Sequence, residues 1–233
     1  MVTLRPSAER GHANYGWLDT RYSFSFANYF DRKHMGFRDL RVINEDRIAA
    51  GQGFGSHPHQ DMEIITYIVD GELSHRDSTG REASIKRNDV QRMSAGTGVV
   101  HSEYNNSEAP VHLLQIWIIP EAAGLPASYE DRSFAREEKL NQLRPIASKD
   151  GRQNSTKINQ DASVYASVLD SGKMLEHELA TGRHAWLQLI SGELDVNGTK
   201  LTRGDGVAAS EESLLRITNP ADCEAEFLLF DLN

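Results

Sequence analysis

Two pairs of side chains in this sequence combine the chemistry and the spacing of metal ligands. His57-Pro58-His59 and His101-Ser102-Glu103 each hold two donors one residue apart. On a β-strand, residues i and i+2 point to the same face. Two such strands side by side would aim three imidazoles and a carboxylate at one point. Neutral nitrogens with one carboxylate oxygen suit a divalent first-row transition metal. An octahedral ion held by four protein donors keeps two positions open for a substrate or dioxygen. A lone His-x-His pair is common on surfaces, but here both pairs are punctuated by glycine: Gly51 and Gly71 flank the first, with Glu63 between, and Gly98 precedes the second, with Asn105 after it.

The segments that must carry these donors read as short strands. Leu40 to Ile43, Met62 to Val69, Val111 to Ile119, Trp186 to Ile190 and Glu226 to Leu232 are rich in β-branched, aromatic and leucine residues. Turn signals separate them at Gly51-Gln52-Gly53, Asp70-Gly71, Ser78-Thr79-Gly80, Asn88-Asp89, Asn197-Gly198 and Gly204-Asp205-Gly206. Many short strands at this spacing predict an all-β sandwich or barrel. Asn197-Gly198 predicts a type I′ hairpin. The run Gly51 to Gly55 precedes a strand rather than opening a helix, so it lacks the context of a phosphate loop.

A faint internal repeat divides the chain. Ile68-Val69-Asp70-Gly71-Glu72-Leu73 is echoed by Leu189-Ile190-Ser191-Gly192-Glu193-Leu194, and Arg87-Asn88-Asp89-Val90 by Arg203-Gly204-Asp205-Gly206. The ligands do not recur: the second half has only His177 and His184, unpaired. This predicts a metal-binding domain over residues 1–125, a connection over 126–160 with a short helix between Ser133 and Leu143, and a metal-free repeat of the same domain over 161–233.

Composition narrows the function classes. The chain has 233 residues, 39% of them hydrophobic and 25% charged, as in an ordinary soluble protein. A net charge of −9 argues against a broad surface for nucleic acid or anionic membranes. The single cysteine, Cys223, precludes an internal disulfide and fits a reducing compartment. With no leader-like segment in Met1 to Arg10 and no run long enough to span a bilayer, the expected location is the cytoplasm.

The spacing of His57, His59, Glu63 and Gly71, and of Gly98, His101 and Asn105, resembles the two metal-binding motifs of the cupins. Gly71 falls one place late, and Gly96 stands where the second motif usually has proline. More specifically, residues 5 to 120 resemble the pirins, a bicupin family. The resemblance is carried by Gly11-His12, Phe24 to Tyr29, Gly36 to Asn44, His57 to Glu63, Ser94 to Gly98, His101 to Asn105 and Leu114 to Trp117. It implies an all-β bicupin of two jelly-roll domains with one metal centre in the first. It carries the ligand role onto His57, His59, His101 and Glu103. Iron(II) is the implied ion, though copper, nickel, cobalt, manganese or zinc would suit the same donors. It also implies either of two activities. Some bacterial members open flavonols such as quercetin with dioxygen and release carbon monoxide. Eukaryotic members are iron-bearing partners of transcription factors, so a redox-responsive regulatory protein with a protein partner is the alternative. A non-redox cupin such as an isomerase is a third reading.

Individual residues sharpen these expectations. Counting by twos from His59 places Glu63 on the metal side as well. The pirin pattern favours Glu103 as the ligand, leaving Glu63 as its partner or as a base; Glu103 or Glu63 would act as the catalytic base. Phe24, Phe26, Tyr29 and Phe30 are either core or one wall of a pocket for a planar substrate. Trp117 is expected in the core. Among the other histidines, His75 is expected in solvent, His12 and His34 at the surface or in packing, and His112 at the core edge. His177 and His184 are not expected to form a second metal site.

Overall fold

A computed structural model describes residues 1–233 as nearly continuous β-structure in two compact units. One unit comprises Gly11–Ser133 with Thr156–Gln160; the other comprises Met1–Arg10, Phe134–Ser155 and Asp161–Asn233. No helix is long and apolar enough to cross a membrane.

The first unit is a sandwich of two antiparallel sheets, open at the edges rather than a closed barrel. The larger sheet runs in the order Ser128–Ser133, Asp89–Ser94, Glu63–Asp70, Val111–Ile118, Leu40–Ile48, Leu18–Tyr22, Gly11–Asn14. The smaller runs Gly53–His59, Val99–Tyr104, Glu72–Asp77, Glu82–Lys86. Leu18, Ile48, Ile68, Val111 and Leu113 from the larger sheet meet Leu73 and Ile85 from the smaller in a buried apolar cluster. Apolar burial is the main force holding such sheets face to face.

Above that cluster the interior turns polar. Asn44 stands opposite Gln115, Gln115 opposite Thr66 and Thr66 opposite Gln91 across four adjacent strands. Glu103 stands opposite His75 in the smaller sheet. All six side chains are buried.

The second unit repeats the plan. One sheet contains, in order, Val2–Arg5, Gly206–Ala209, His184–Ser191, Ala225–Leu232, Ala162–Leu169 and Arg144–Ser148; the other runs Met174–Glu178, Leu214–Thr218, Glu193–Val196, Thr199–Thr202. Asn197 and Gly198 both take positive φ, 49° and 85°, and join Val196 to its partner Thr199, the expected type I′ hairpin.

The stretch 126–160, read from sequence as a connection, carries structure of its own. Ser128–Ser133 pairs with Asp89–Ser94 and Arg144–Ser148 with Ala162–Leu169. Its helical parts are one α-turn at Arg136–Lys139 and a 3-10 turn at Arg152–Asn154. Pro126 lies just before Ser128–Ser133, and Pro145 lies within Arg144–Ser148, opposite Tyr165.

Candidate metal centre

His57 and His101 stand directly opposite on adjacent antiparallel strands, and Val99 stands opposite His59. Glycine permits this pairing: a Cβ on Gly53 would sit 2.1 Å from the Glu103 carbonyl oxygen. A bulge shifts the register between His101 and Glu103. It reverses the alternation of the first strand, so Phe54 turns inward with His57 and His59 and packs beside the apolar cluster.

The ligand nitrogens of His57, His59 and His101 lie within 4.8 Å of one another. The Nε2 atoms of His57 and His101 are 3.0 Å apart. Nδ1 of His57 lies 2.7 Å from the Gly55 carbonyl oxygen, which only accepts. Nδ1 therefore carries the proton and Nε2 presents a lone pair. Burial, and next the neighbouring imidazoles, hold His59 down to about 4 and His101 down to about 3. Both are thus neutral at pH 7, as ligation requires. Two nitrogens at right angles about an ion, each at about 2.1 Å, would be about 3.0 Å apart. The observed spacing fits.

Glu103 is 3% exposed. Its Oε2 accepts from Gln115 Nε2 at 3.3 Å, and its Oε1 has no hydrogen-bond partner. A buried carboxylate oxygen without a donor is costly, and a cation is the partner that would remove the cost. Burial, and next the charge of Asp46, push the Glu103 carboxyl up to about 7. Its oxygen groups with His75 and His101.

Glu63 is placed differently from the reading by twos. Asp61 takes φ 48°, so the chain turns between His59 and the Glu63–Asp70 strand and the alternation restarts. Ile64 packs with Trp117, whose ring touches His59 at 5.0 Å. Glu63, the preceding residue on that strand, points to the opposite face. There Ser94 Oγ donates to Oε2 at 2.7 Å and Asn159 Nδ2 donates to Oε1 at 2.9 Å. Both oxygens are engaged away from the histidines, so the arrangement offers Glu63 neither a ligand's position nor a base's.

Aromatic rings border the cluster. Phe26 meets Trp117 edge to face at 5.2 Å, and Tyr22 lies 5.8 Å from Phe26 and 6.1 Å from Tyr29. Phe24 is core, at 2% exposure, whereas Phe30 is 68% exposed. The aromatic segment is therefore divided, with Phe26 at the site. Trp117, expected in the core, is half-buried beside His59. A groove of about 370 Å³ opens at His59, lined also by Pro58, Gln60, Gly98, Val99 and Val100.

The other histidines sort by partner. His12 pairs with Asp19, His34 with Asp31 and His112 with Glu45. His177 bonds Asp231 and His184 bonds Ser210. His177 stands opposite Leu215, where the first unit sets His57 opposite His101. His75 departs from expectation: it is buried at 2%, 3.0 Å from Asp77 and 3.5 Å from His101. Strand alternation was the signal available, since Leu73, His75 and Asp77 share the buried face of Glu72–Asp77.

Comparison with known proteins agrees with this geometry. The chain is 46% identical to the quercetin 2,3-dioxygenase of Escherichia coli K12, over 100% of this chain and 99% of that protein. The family described as Pirin matches residues 3–118, and the quercetinase C-terminal cupin domain matches residues 145–232. This chain belongs to the pirin family. This pirin superposes on the bacterial pirin YhhW of E. coli, solved in complex with nickel(II), with a TM-score of 0.94 at 46% identity, covering 100% of this chain and 99% of that one. It is also 36% identical to a pirin-like protein of Caulobacter vibrioides over 99% of both chains.

Proposed function

We propose that this pirin is a metal-dependent dioxygenase that opens the ring of a flavonol of the quercetin class with dioxygen and releases carbon monoxide. The observation that carries the reading is the convergence of the His57, His59 and His101 nitrogens, with the buried Glu103 oxygen that has no donor grouped with His101 and Trp117 against His59. His57, His59, His101 and Glu103 would hold one divalent ion, for which we propose iron(II). The naming of the E. coli relatives supports both the class of reaction and a site that accepts a divalent ion.

When bound, the ion supplies Lewis acidity toward an oxygen-bearing ligand and an electron path to dioxygen. The protein does the rest. Phe26 and Trp117, set edge to face, offer apolar ring surface against which a planar substrate can pack. Glu103, the carboxylate with an oxygen that no donor holds, would take the proton of a flavonol hydroxyl. Gln115 holds that carboxyl in place through Oε2.

The test is oxygen uptake with quercetin, followed with loss of its visible absorbance and release of carbon monoxide. Protein loaded in turn with iron, nickel, cobalt, copper and manganese should consume oxygen above free metal with at least one ion. Uptake with none of them overturns the dioxygenase reading and leaves the regulatory one.

A further inference from the structure

Behind His101 runs a buried chain of polar contacts that the proposed reaction does not itself use. Asp77 begins it. Its Oδ1 accepts from Thr79 Oγ1 at 2.5 Å, Thr79 N at 2.8 Å and Arg81 N at 3.3 Å. Three donors on one oxygen favour the ionised carboxylate. Its Oδ2 lies 3.0 Å from Nε2 of His75, and both side chains are at most 1% exposed. Facing an acceptor, Nε2 of His75 carries the proton, and Nδ1 of His75 must then present its lone pair. Two groups point at that lone pair: the amide nitrogen of Gln91 at 3.1 Å and Nδ1 of His101 at 3.5 Å. For His101 to face an acceptor, its own proton sits on Nδ1. Its Nε2 is left bare, and Nε2 is the atom 3.0 Å from Nε2 of His57.

We propose that His75 and Asp77 are positioning residues: they fix the tautomer and the orientation of His101 so that Nε2 alone is presented to the metal. This rests on the reading of His101 as a ligand. Proton placement runs in one direction along the chain, from the Asp77 carboxylate through His75 to His101. A carboxylate that accepts through an imidazole also increases the basicity of the ligating nitrogen. His57 achieves the same end with a single backbone carbonyl, that of Gly55. His101 lies in the interior between the sheets, where side chains must do the work.

The experiment compares His75→Leu, His75→Gln and Asp77→Asn with the unaltered chain. Nickel(II) affinity is measured by competition with a chelator, and the imidazole nitrogens are read by ¹⁵N NMR on zinc-loaded protein. Glutamine keeps an acceptor for the His101 proton, and leucine removes it. We expect His75→Leu to lose about 10- to 100-fold in nickel affinity and to broaden or shift the protonated Nδ1 signal of His101. His75→Gln should recover most of the affinity, and Asp77→Asn should fall between. A merely structural role would lower thermal stability without separating glutamine from leucine. If His75→Leu does not fold, Asp77→Asn decides alone. Equal nickel affinity in folded variants and unaltered protein, or zinc ligation through Nδ1 of His101, overturns the proposal while leaving the metal site standing. Unaltered protein that binds no nickel overturns both.

Discussion

Gln115 engages one oxygen of Glu103 at 3.3 Å and leaves the other without a donor. Glu63, equally buried, has donors on both oxygens. The two acids should therefore separate on substitution. Glu103→Gln is expected to weaken nickel binding by about 100-fold or more, since a neutral amide oxygen is a poor ligand and partners of ligands alone are worth 10- to 100-fold. Glu63→Gln should leave affinity within about 3-fold, while losing about 1–3 kcal/mol of stability as the Asn159 contact is broken. Metal titration and thermal melts of both variants decide; the reverse ranking would return the ligand role to Glu63.

One ion per chain is expected, held in the first unit. His57→Ala and His101→Ala should each bring metal content well below stoichiometric, and the double variant near zero. The second unit places Leu215 opposite His177 and offers no replacement. Near-stoichiometric metal retained by a folded double variant would falsify the assignment.

Acid should destabilise the metal-free protein. His59 and His101 stay neutral in the folded state down to about 4 and about 3, whereas the unfolded chain protonates them near 6.5. The unfolded state thus binds more protons in that window, so stability falls as pH drops from 6.5 toward 4. Glu103 acts with opposite sign. Its folded-state proton is held up to about 7 and is released near 4.5 on unfolding, so it costs stability as pH rises from 4.5 to 7. Two imidazoles outweigh one carboxyl between 4.5 and 6.5, giving a net decline on acidification. Melting temperatures from pH 7.5 to 4 test this, and a flat profile contradicts it.

Phe26 should serve the substrate and not the ion. Loss of its ring in Phe26→Ala is expected to raise KM for quercetin about 10-fold, the scale of one aromatic contact with its buried area. Nickel affinity should stay unchanged. An unaltered KM would remove Phe26 from the substrate border.

The histidine pairs were legible because strand alternation is local: residues i and i+2 share a face whatever else the chain does. Glu63 was misplaced because the same count was carried through Asp61, where the backbone leaves the strand. Its true partner, Asn159, lies beyond the reach of any local pattern. His75 was missed for the opposite reason. Alternation from Leu73 through His75 to Asp77 was available, but the polar run His-Arg-Asp-Ser resembled a solvated turn. A polar interior defeats the rule that equates polar residues with solvent. The strands and the hairpin at Asn197-Gly198 followed from turn chemistry, whereas the strands within 126–160 were hidden by prolines that sit at their margins.

The pairing of Val2–Arg5 with Gly206–Ala209 has a temporal side. The partner of Val2–Arg5 is made about 200 residues after it, on the order of 10–40 s at ordinary rates of synthesis. For that interval an extended β-segment has no edge to join and is open to chaperones. The first unit waits too, until Asn159 is synthesised and can reach Glu63. Neither unit is finished in the order it is read: the first waits for Thr156–Gln160 and the second for the strands after Asp161.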